Sequence, residues 1–327
     1  MKSFEAYFLI GGAGFIGSHF IDALLREKTT KKLTVYDNFS SGKTWHYAHH
    51  QHDPRLNVIR GDVKETDKLL ASIKGHEVVI HFAANPDIAR AIHEPSIDFT
   101  EGIFLSYHVL EAMRLAQVKR LIYTSGSGVY GDVSSETSEN YGGMQPISTY
   151  GAAKLGSEAF ISSYCHMFGL SACVFRFANV VGPRQTHGVA YDFIRKLSKD
   201  PTKLEILGDG TQSKSYIHVS DVVNAVLFAN QHLHIPYEVY NVATNDYLTV
   251  HDIAKFTIAC MGIKTPVNLQ FTGGPRGWKG DVPIVRLNTE KIRSLGWQCQ
   301  FNSQEAMQQS LLALMDDYRQ VETVCSG

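Results

Sequence analysis

A short apolar run, Ala6–Ile10 (AYFLI), leads directly into Gly12-Ala13-Gly14-Phe15-Ile16-Gly17. This G-x-G-x-x-G pattern opens a helix-length segment, Phe15–Arg26. A strand, a glycine turn and a helix in that order constrain the fold more than anything else in the chain. The glycines permit a tight turn and a close approach of a pyrophosphate to the backbone. The helix start offers free N–H groups and a partial positive charge. Asp37 stands 20 residues past Gly17, at the end of the next apolar run. A carboxylate there accepts hydrogen bonds from a ribose 2′-hydroxyl and repels a 2′-phosphate, which predicts NAD over NADP. Asp62, after a third run in IRGDV, is placed to meet the adenine. Ala83 and Ala84 follow a fourth run and are small enough for backbone to lie against the cofactor.

The same alternation continues. Leu33–Tyr36, Leu56–Ile59, Val78–Phe82, Arg120–Tyr123 and Ala172–Phe175 are nearly continuous apolar runs, as expected of strands covered on both faces. Helix-length segments such as Val109–Ala116 separate them, which predicts an α/β fold with a doubly wound parallel sheet. After about residue 178 glycine and proline become denser, as in GPRQTHG, LGDGTQS and TGGPRGWKGDVP. We therefore divide the chain into a cofactor-binding domain, 1–178, and a smaller C-terminal substrate-binding lobe, 179–327. Segments near 215–245 are expected to return to the main sheet. With 44% hydrophobic and 19% charged residues and a formal net charge of −1, the chain reads as globular. It has no global basic field to attract nucleic acid or an anionic membrane. No stretch reaches the roughly 20 apolar residues of a membrane span, and no cleavable leader is visible. Five scattered cysteines suggest neither disulfides nor zinc, which places the chain in the cytoplasm.

Tyr150 and Lys154, in YGAAK, lie one helical turn apart on one face. A phenol titrates near 10, too high for a base at neutral pH. A neighbouring ammonium favours the phenolate, and a positive nicotinamide would add to that.

Taken together, GGAGFIGSH, VYDNFSSG, RGDV, VIHFAA, YTSGSGVYGD, YGAAKLGSE, FRFANVVGPR, LGDGTQSKSYIHVSD and RGWKGDVP resemble the extended short-chain dehydrogenase/reductase family. Within it the nearest resemblance is to UDP-glucose 4-epimerase-like sugar-nucleotide enzymes. The resemblance implies a Rossmann-type sheet, bound NAD, a UDP-hexose substrate and a homodimer paired through helices around Phe104–Leu115 and Leu155–Tyr164. It implies cofactor contacts at Gly11, Gly14, Phe15, Ile16, Gly17, Asp37, Asn38, Ser41, Gly42, Asp62, Val63, Ala83 and Ala84, besides Tyr150 and Lys154. Substrate contacts are implied at Asn179, Val189, the Leu204–Gly208 stretch, Lys214, Arg276 and Asp281. Tyr150 would take the proton of the sugar 4-hydroxyl while the C4 hydride moves to NAD and returns to the other face of a transient 4-keto sugar.

Several positions depart from the pattern. The hydroxyl residue usually found four before the tyrosine of V-Y-G is Gly126, leaving Ser125 or Ser127 to replace it. The Asp-Glu pair of 4,6-dehydratases is Ser127 and Gly128, which disfavours dehydration. A usual phosphate-binding Arg is Lys214, another is Trp278, and a familiar Asn is Gly102. Val285 stands where strict glucose/galactose epimerases often carry Tyr, leaving space for an N-acetyl group. Other dehydratases, decarboxylases or epimerases of this fold, and a non-catalytic NAD-binding regulator, remain alternatives. The histidines of WHYAHHQHD have no acid at metal-ligand spacing and are expected to be solvated, with no metal site.

Overall fold

The computed structural model describes residues 4–85, 87–232 and 235–325. The cofactor half contains β1 (Ala6–Ile10), α1 (Phe15–Arg26), β2 (Lys32–Asp37), β3 (Leu56–Arg60), α2 (Thr66–Ile73), β4 (Val78–His81), α3 (Phe104–Ala116), β5 (Arg120–Gly126), α4 (Thr149–Phe168) and β6 (Ser171–Phe177). It is followed by β7 (Asn179–Val181), α5 (Val189–Lys199), β8 (Lys203–Ile206), β9 (Ser213–Lys214), β10 (Tyr216–His218), α6 (Val219–Gln231) and β11 (Tyr237–Val242). The remaining elements are β12 (Leu248–Thr249), α7 (Val250–Cys260), β13 (Asn268–Phe271), α8 (Glu290–Ser294) and α9 (Ser303–Cys325).

Seven strands form one parallel sheet in the order β11-β6-β5-β4-β1-β2-β3. The order reverses between β1 and β4, and the crevice beyond the carboxyl ends of those two strands is where such sheets hold ligands. The strands are apolar throughout because helices cover both faces. Leu9, Leu33 and Ile80 pack into one core layer, and Phe8, Ile10 and Tyr36 into the other. Helix α1 is amphipathic, burying Phe20, Ile21, Leu24 and Leu25 against the first layer.

The C-terminal lobe has its own core, built from α5, α7 and α9 with Leu204, Ile206 and Tyr216. Among the described residues its strands pair in twos: β7 with β10, β9 with β12 and β8 with β13. Of the returning stretch, β11 joins the main sheet beside β6, whereas β10 stays with β7. Among the described residues no helix is long and apolar enough to cross a membrane.

Candidate active site

The glycine turn sits at the switch point. Gly11 has φ +74° and lies so close to the segment after β4 that a Cβ there would meet the Ala83 nitrogen at 2.7 Å. A Cβ on Gly17 would meet Gly12 Cα at 2.7 Å, so the helix can start this close to the strand only without one. Gly14 precedes α1 with an extended backbone, and no side chain caps the helix. The N–H groups of Phe15, Ile16 and Gly17 thus open a helix N-terminus suited to an anion. At the end of β2, Asp37 Oδ2 accepts the Ala13 N–H at 2.9 Å and Oδ1 accepts the Phe39 N–H at 2.8 Å. Burial pushes the Asp37 carboxyl above its usual range, against the pull of those two donors. Ser41 and Gly42 fold back over this corner, where a Cβ on Gly42 would press on Ala13 Cβ at 2.9 Å. Asn38 Nδ2 donates to Asp62 Oδ2 at 3.2 Å, while Val63 is buried beside them. An uncapped helix start, a cradle that Cβ atoms would fill and a strand-end carboxylate fit a dinucleotide.

Ser148 caps α4, accepting the Gly151 N–H at 3.1 Å, and this fixes Tyr150 and Lys154 in the first turns of the helix. Both line a cavity shared with Ala84, Asn85, Asp98, Glu101, Gly102 and Ala153. The cofactor-side Ala84 and the candidate catalytic pair therefore face the same space. Lys154 is buried and its Nζ donates to the Thr124 carbonyl at 2.7 Å. The ammonium stands 5.6 Å from the Tyr150 ring centroid and 5.0 Å from that of Tyr123. Burial draws the Lys154 ammonium down to about 8, against the pull of Glu158 one turn on. Desolvation, with Asp98 adding to it, pushes the Tyr150 phenol up to about 12. The protein alone thus leaves this phenol harder to ionise than in water, contrary to the simple expectation from an adjacent lysine. Activation has to come from positive charge brought by the ligands.

The two candidate serines differ. Ser125 is buried and its hydroxyl donates to Glu158 Oε1 at 2.5 Å. Ser127 is half-buried on the turn after β5, and its hydroxyl has no partner among the described residues. Gly126 between them is extended, and a Cβ there would meet nothing nearer than Phe177 O at 3.9 Å.

The substrate-side candidates fall into two groups. Lys214 Nζ pairs with Asp281 Oδ1 at 2.6 Å, and Asp281 Oδ2 also accepts the Gly277 N–H at 3.0 Å. Arg276 donates to the Asp281 carbonyl and pairs with Asp132 at 2.5 Å, which ties the loop to the cofactor half. At Gly280 this loop presses on the segment before Tyr150, since a Cβ would meet Ile147 O at 3.2 Å. Asn179 opens β7 with its side-chain amide free of partners among the described residues, and Val189 opens α5, which no side chain caps. Leu204 is different. It is fully buried in the core of the lobe, whereas Leu207 is 46% exposed beside the Gly277 loop. Strand alternation explains this, because β8 turns Leu204 and Ile206 inward. Val285 packs against the main core with its N–H on Ser213 O at 3.2 Å.

Sequence reasoning missed what lies beneath the pair. Glu158 forms a buried ion pair with Arg176 at 2.6 Å, and Arg176 donates onward to the Tyr130 hydroxyl, which donates to Asn241 Oδ1. It also missed Asp98, which accepts from Asn85 Nδ2 at 2.9 Å and from Thr149 Oγ1 at 2.6 Å. No local pattern marks these residues, whose partners lie up to 111 positions away. Gly102 does have a structural reason. A Cβ there would meet Ala153 Cβ at 2.8 Å, so glycine lets the π-helical turn Phe99–Ile103 lie against α4. The expectation of solvated histidines fails at His46, which is fully buried with Nδ1 2.7 Å from Ala13 O, bracing the glycine turn from behind.

The geometry agrees with the comparisons. The model of the NAD dependent epimerase/dehydratase family matches residues 7–243. The UDP-glucose 4-epimerase of Mycolicibacterium smegmatis is 30% identical over 298 residues, 89% of this chain and 92% of that protein. A crystal structure of a UDP-galactose 4-epimerase matches with a TM-score of 0.84 at 35% identity, covering 95% of this chain and 99% of the other. The Thermus thermophilus UDP-glucose 4-epimerase, solved in complex with NAD, matches with a TM-score of 0.83 at 27% identity over 94% of this chain and 98% of its own. A match that starts before the glycine turn and runs well past α4 makes this chain a member of the NAD dependent epimerase/dehydratase family.

Proposed function

We propose that this chain is a UDP-hexose 4-epimerase that works with bound NAD. The observation that carries the reading is the placement of Tyr150 and Lys154 next to Ala84, beside the dinucleotide cradle, around one small void. The chemistry supplied by bound NAD is acceptance and return of one hydride at sugar C4. The chain does the rest. Tyr150 receives the proton of the 4-hydroxyl and gives it back, so no net proton or electron is consumed. Lys154 holds positive charge beside the ring, and the Ser127 hydroxyl relays the proton in place of the missing side chain at Gly126. Ser125 is structural in this reading, because its hydroxyl is committed to Glu158. Asn179, Lys214 and Arg276 contact the diphosphate, and Asp281 contacts the nucleoside. Ser127 and Gly128 supply no carboxyl acid for loss of water, which supports epimerisation over dehydration. The exposed Phe104, Tyr107 and Leu115 of α3 and Phe160 and Met167 of α4 support a homodimer through these helices.

The test is direct. Purified protein is assayed for bound NAD and incubated with UDP-galactose and with UDP-N-acetylgalactosamine, and the products are identified. The expected outcome is a 4-epimer without net reduction of cofactor. A 4-keto-6-deoxy product, or bound NAD with no turnover of any nucleotide-sugar, overturns the proposal.

A further inference from the structure

His49 and His50 lie on a one-turn 3-10 helix, Ala48–His50, and reach Asp22 on α1, which precedes them by 27 and 28 residues. Both Nε2 atoms converge on the same carboxylate oxygen, Oδ1, at 2.8 and 2.9 Å. The other oxygen, Oδ2, accepts from Arg184 at 2.6 Å. The three potential ligand atoms all lie within 4.8 Å of one another.

We propose that Asp22, His49 and His50 bind one divalent transition-metal ion of the zinc, cobalt or nickel kind. Two imidazoles and one carboxylate suit such borderline cations, whereas magnesium and calcium call for oxygen ligands. Tetrahedral bonds of about 2.0–2.2 Å set neighbouring ligand atoms roughly 3.3 Å apart, so the present contacts have to open by about half an ångström. His49, whose side chain is 49% exposed on a single-turn helix, can move that far. Arg184 anchors Oδ2 and leaves Oδ1 turned to the histidines, orienting the ligand from outside the coordination sphere. Each ring coordinates through Nε2 as the Nδ1–H tautomer, and water completes the shell on the open side of His49.

The ion would clamp this segment to α1. The same segment already covers the glycine turn, where the Lys43 N–H donates to Ala13 O at 3.1 Å beside the His46 contact. Metal occupancy would therefore brace the dinucleotide cradle from outside.

The full-length protein, stripped with a chelator, is titrated with Zn²⁺ by calorimetry and with Co²⁺ by visible absorption. One equivalent and a four-coordinate Co²⁺ spectrum are expected. Zn²⁺ raises the thermal midpoint of the wild type by mass action. Asp22→Asn and the double variant His49→Gln/His50→Gln each weaken binding at least about 10-fold. The double variant keeps the Asp22–Arg184 pair, so a folding defect in Asp22→Asn does not blunt the test. His52→Gln, in the exposed residue just beyond the trio, binds as the wild type does. The proposal is overturned if the wild type takes up no equivalent. It is equally overturned if the double variant binds as tightly as wild type, or if His52→Gln weakens binding as much.

Discussion

The cofactor half and the C-terminal lobe are built by different means. The cofactor side presents backbone: Gly11 and Gly17 have no room for a Cβ, α1 starts uncapped, and Asp37 is pinned by two N–H donors. The lobe side presents side chains: Lys214 pairs with Asp281, and Arg276, hydrogen-bonded to the Asp281 carbonyl, reaches across to pair with Asp132 of the cofactor half. A backbone cradle depends on the absence of side chains and tolerates little change. Ion pairs can be re-paired, so the lobe is where substrate preference can drift while the cofactor stays the same. Arg276–Asp132 is the stitch between the two, and Tyr150 sits where they meet.

That contrast can be broken at several points. The largest effect is expected at the meeting point, where Tyr150→Phe should lower turnover by about 10²–10⁴-fold while bound NAD and thermal stability hold. Steady-state kinetics with NAD quantification checks this, and equal turnover would remove Tyr150 from the chemistry. Next comes Glu158→Ala, which strands the buried Arg176 guanidinium and should cost about 3–5 kcal/mol in denaturant unfolding. A loss near zero would mean that the network under the pair is not structural.

Mirror-image variants sharpen the comparison. Asp37→Ala should cost about 1.5–3 kcal/mol in NAD retention and leave nucleotide-sugar binding in place. Asp281→Asn should raise the sugar-nucleotide KM about 10-fold and leave NAD content alone. If either variant affects both ligands equally, the division between the two sides fails. The pH response follows from the directions of the shifts. The fraction of Tyr150 as phenolate grows with pH below about 12, so turnover should climb through the neutral range. That climb should flatten above about 8, where Lys154 loses its proton. Lys154 has a folded pKa below its ordinary value, so its burial costs stability at neutral pH. The folded state should regain that stability as pH rises from about 8 toward 10.5, and Lys154→Met should not show the gain. The smallest effect is expected from Gly126→Ser, which has open space for the side chain and should raise turnover a few-fold. A Ser127→Ala variant that lost nothing would move the relay elsewhere.

Most of the sheet was legible because its signals are local. Ala6–Ile10 and Phe15–Arg26 are an apolar run and an amphipathic stretch whose bounds appear in the structure as β1 and α1. The lobe was harder to read, since strands of two to four residues carry little periodicity. Within the candidate site, the placement of Tyr150 and Lys154 one turn apart on a single helix could be named in advance. The orientation of Leu204 and the different surroundings of Ser125 and Ser127 could not, because each depends on what packs behind it.

The sequence by itself determined the alternation of strands and helices in the cofactor half and the glycine turn. These follow from sterics and periodicity over a few residues. Only the tertiary structure decided which charges meet. It set Glu158 against Arg176, Asp98 near Tyr150, and Asp22 beneath His49 and His50. Such pairings join distant parts of the chain, and burial rather than spacing fixes how strongly each partner feels the other.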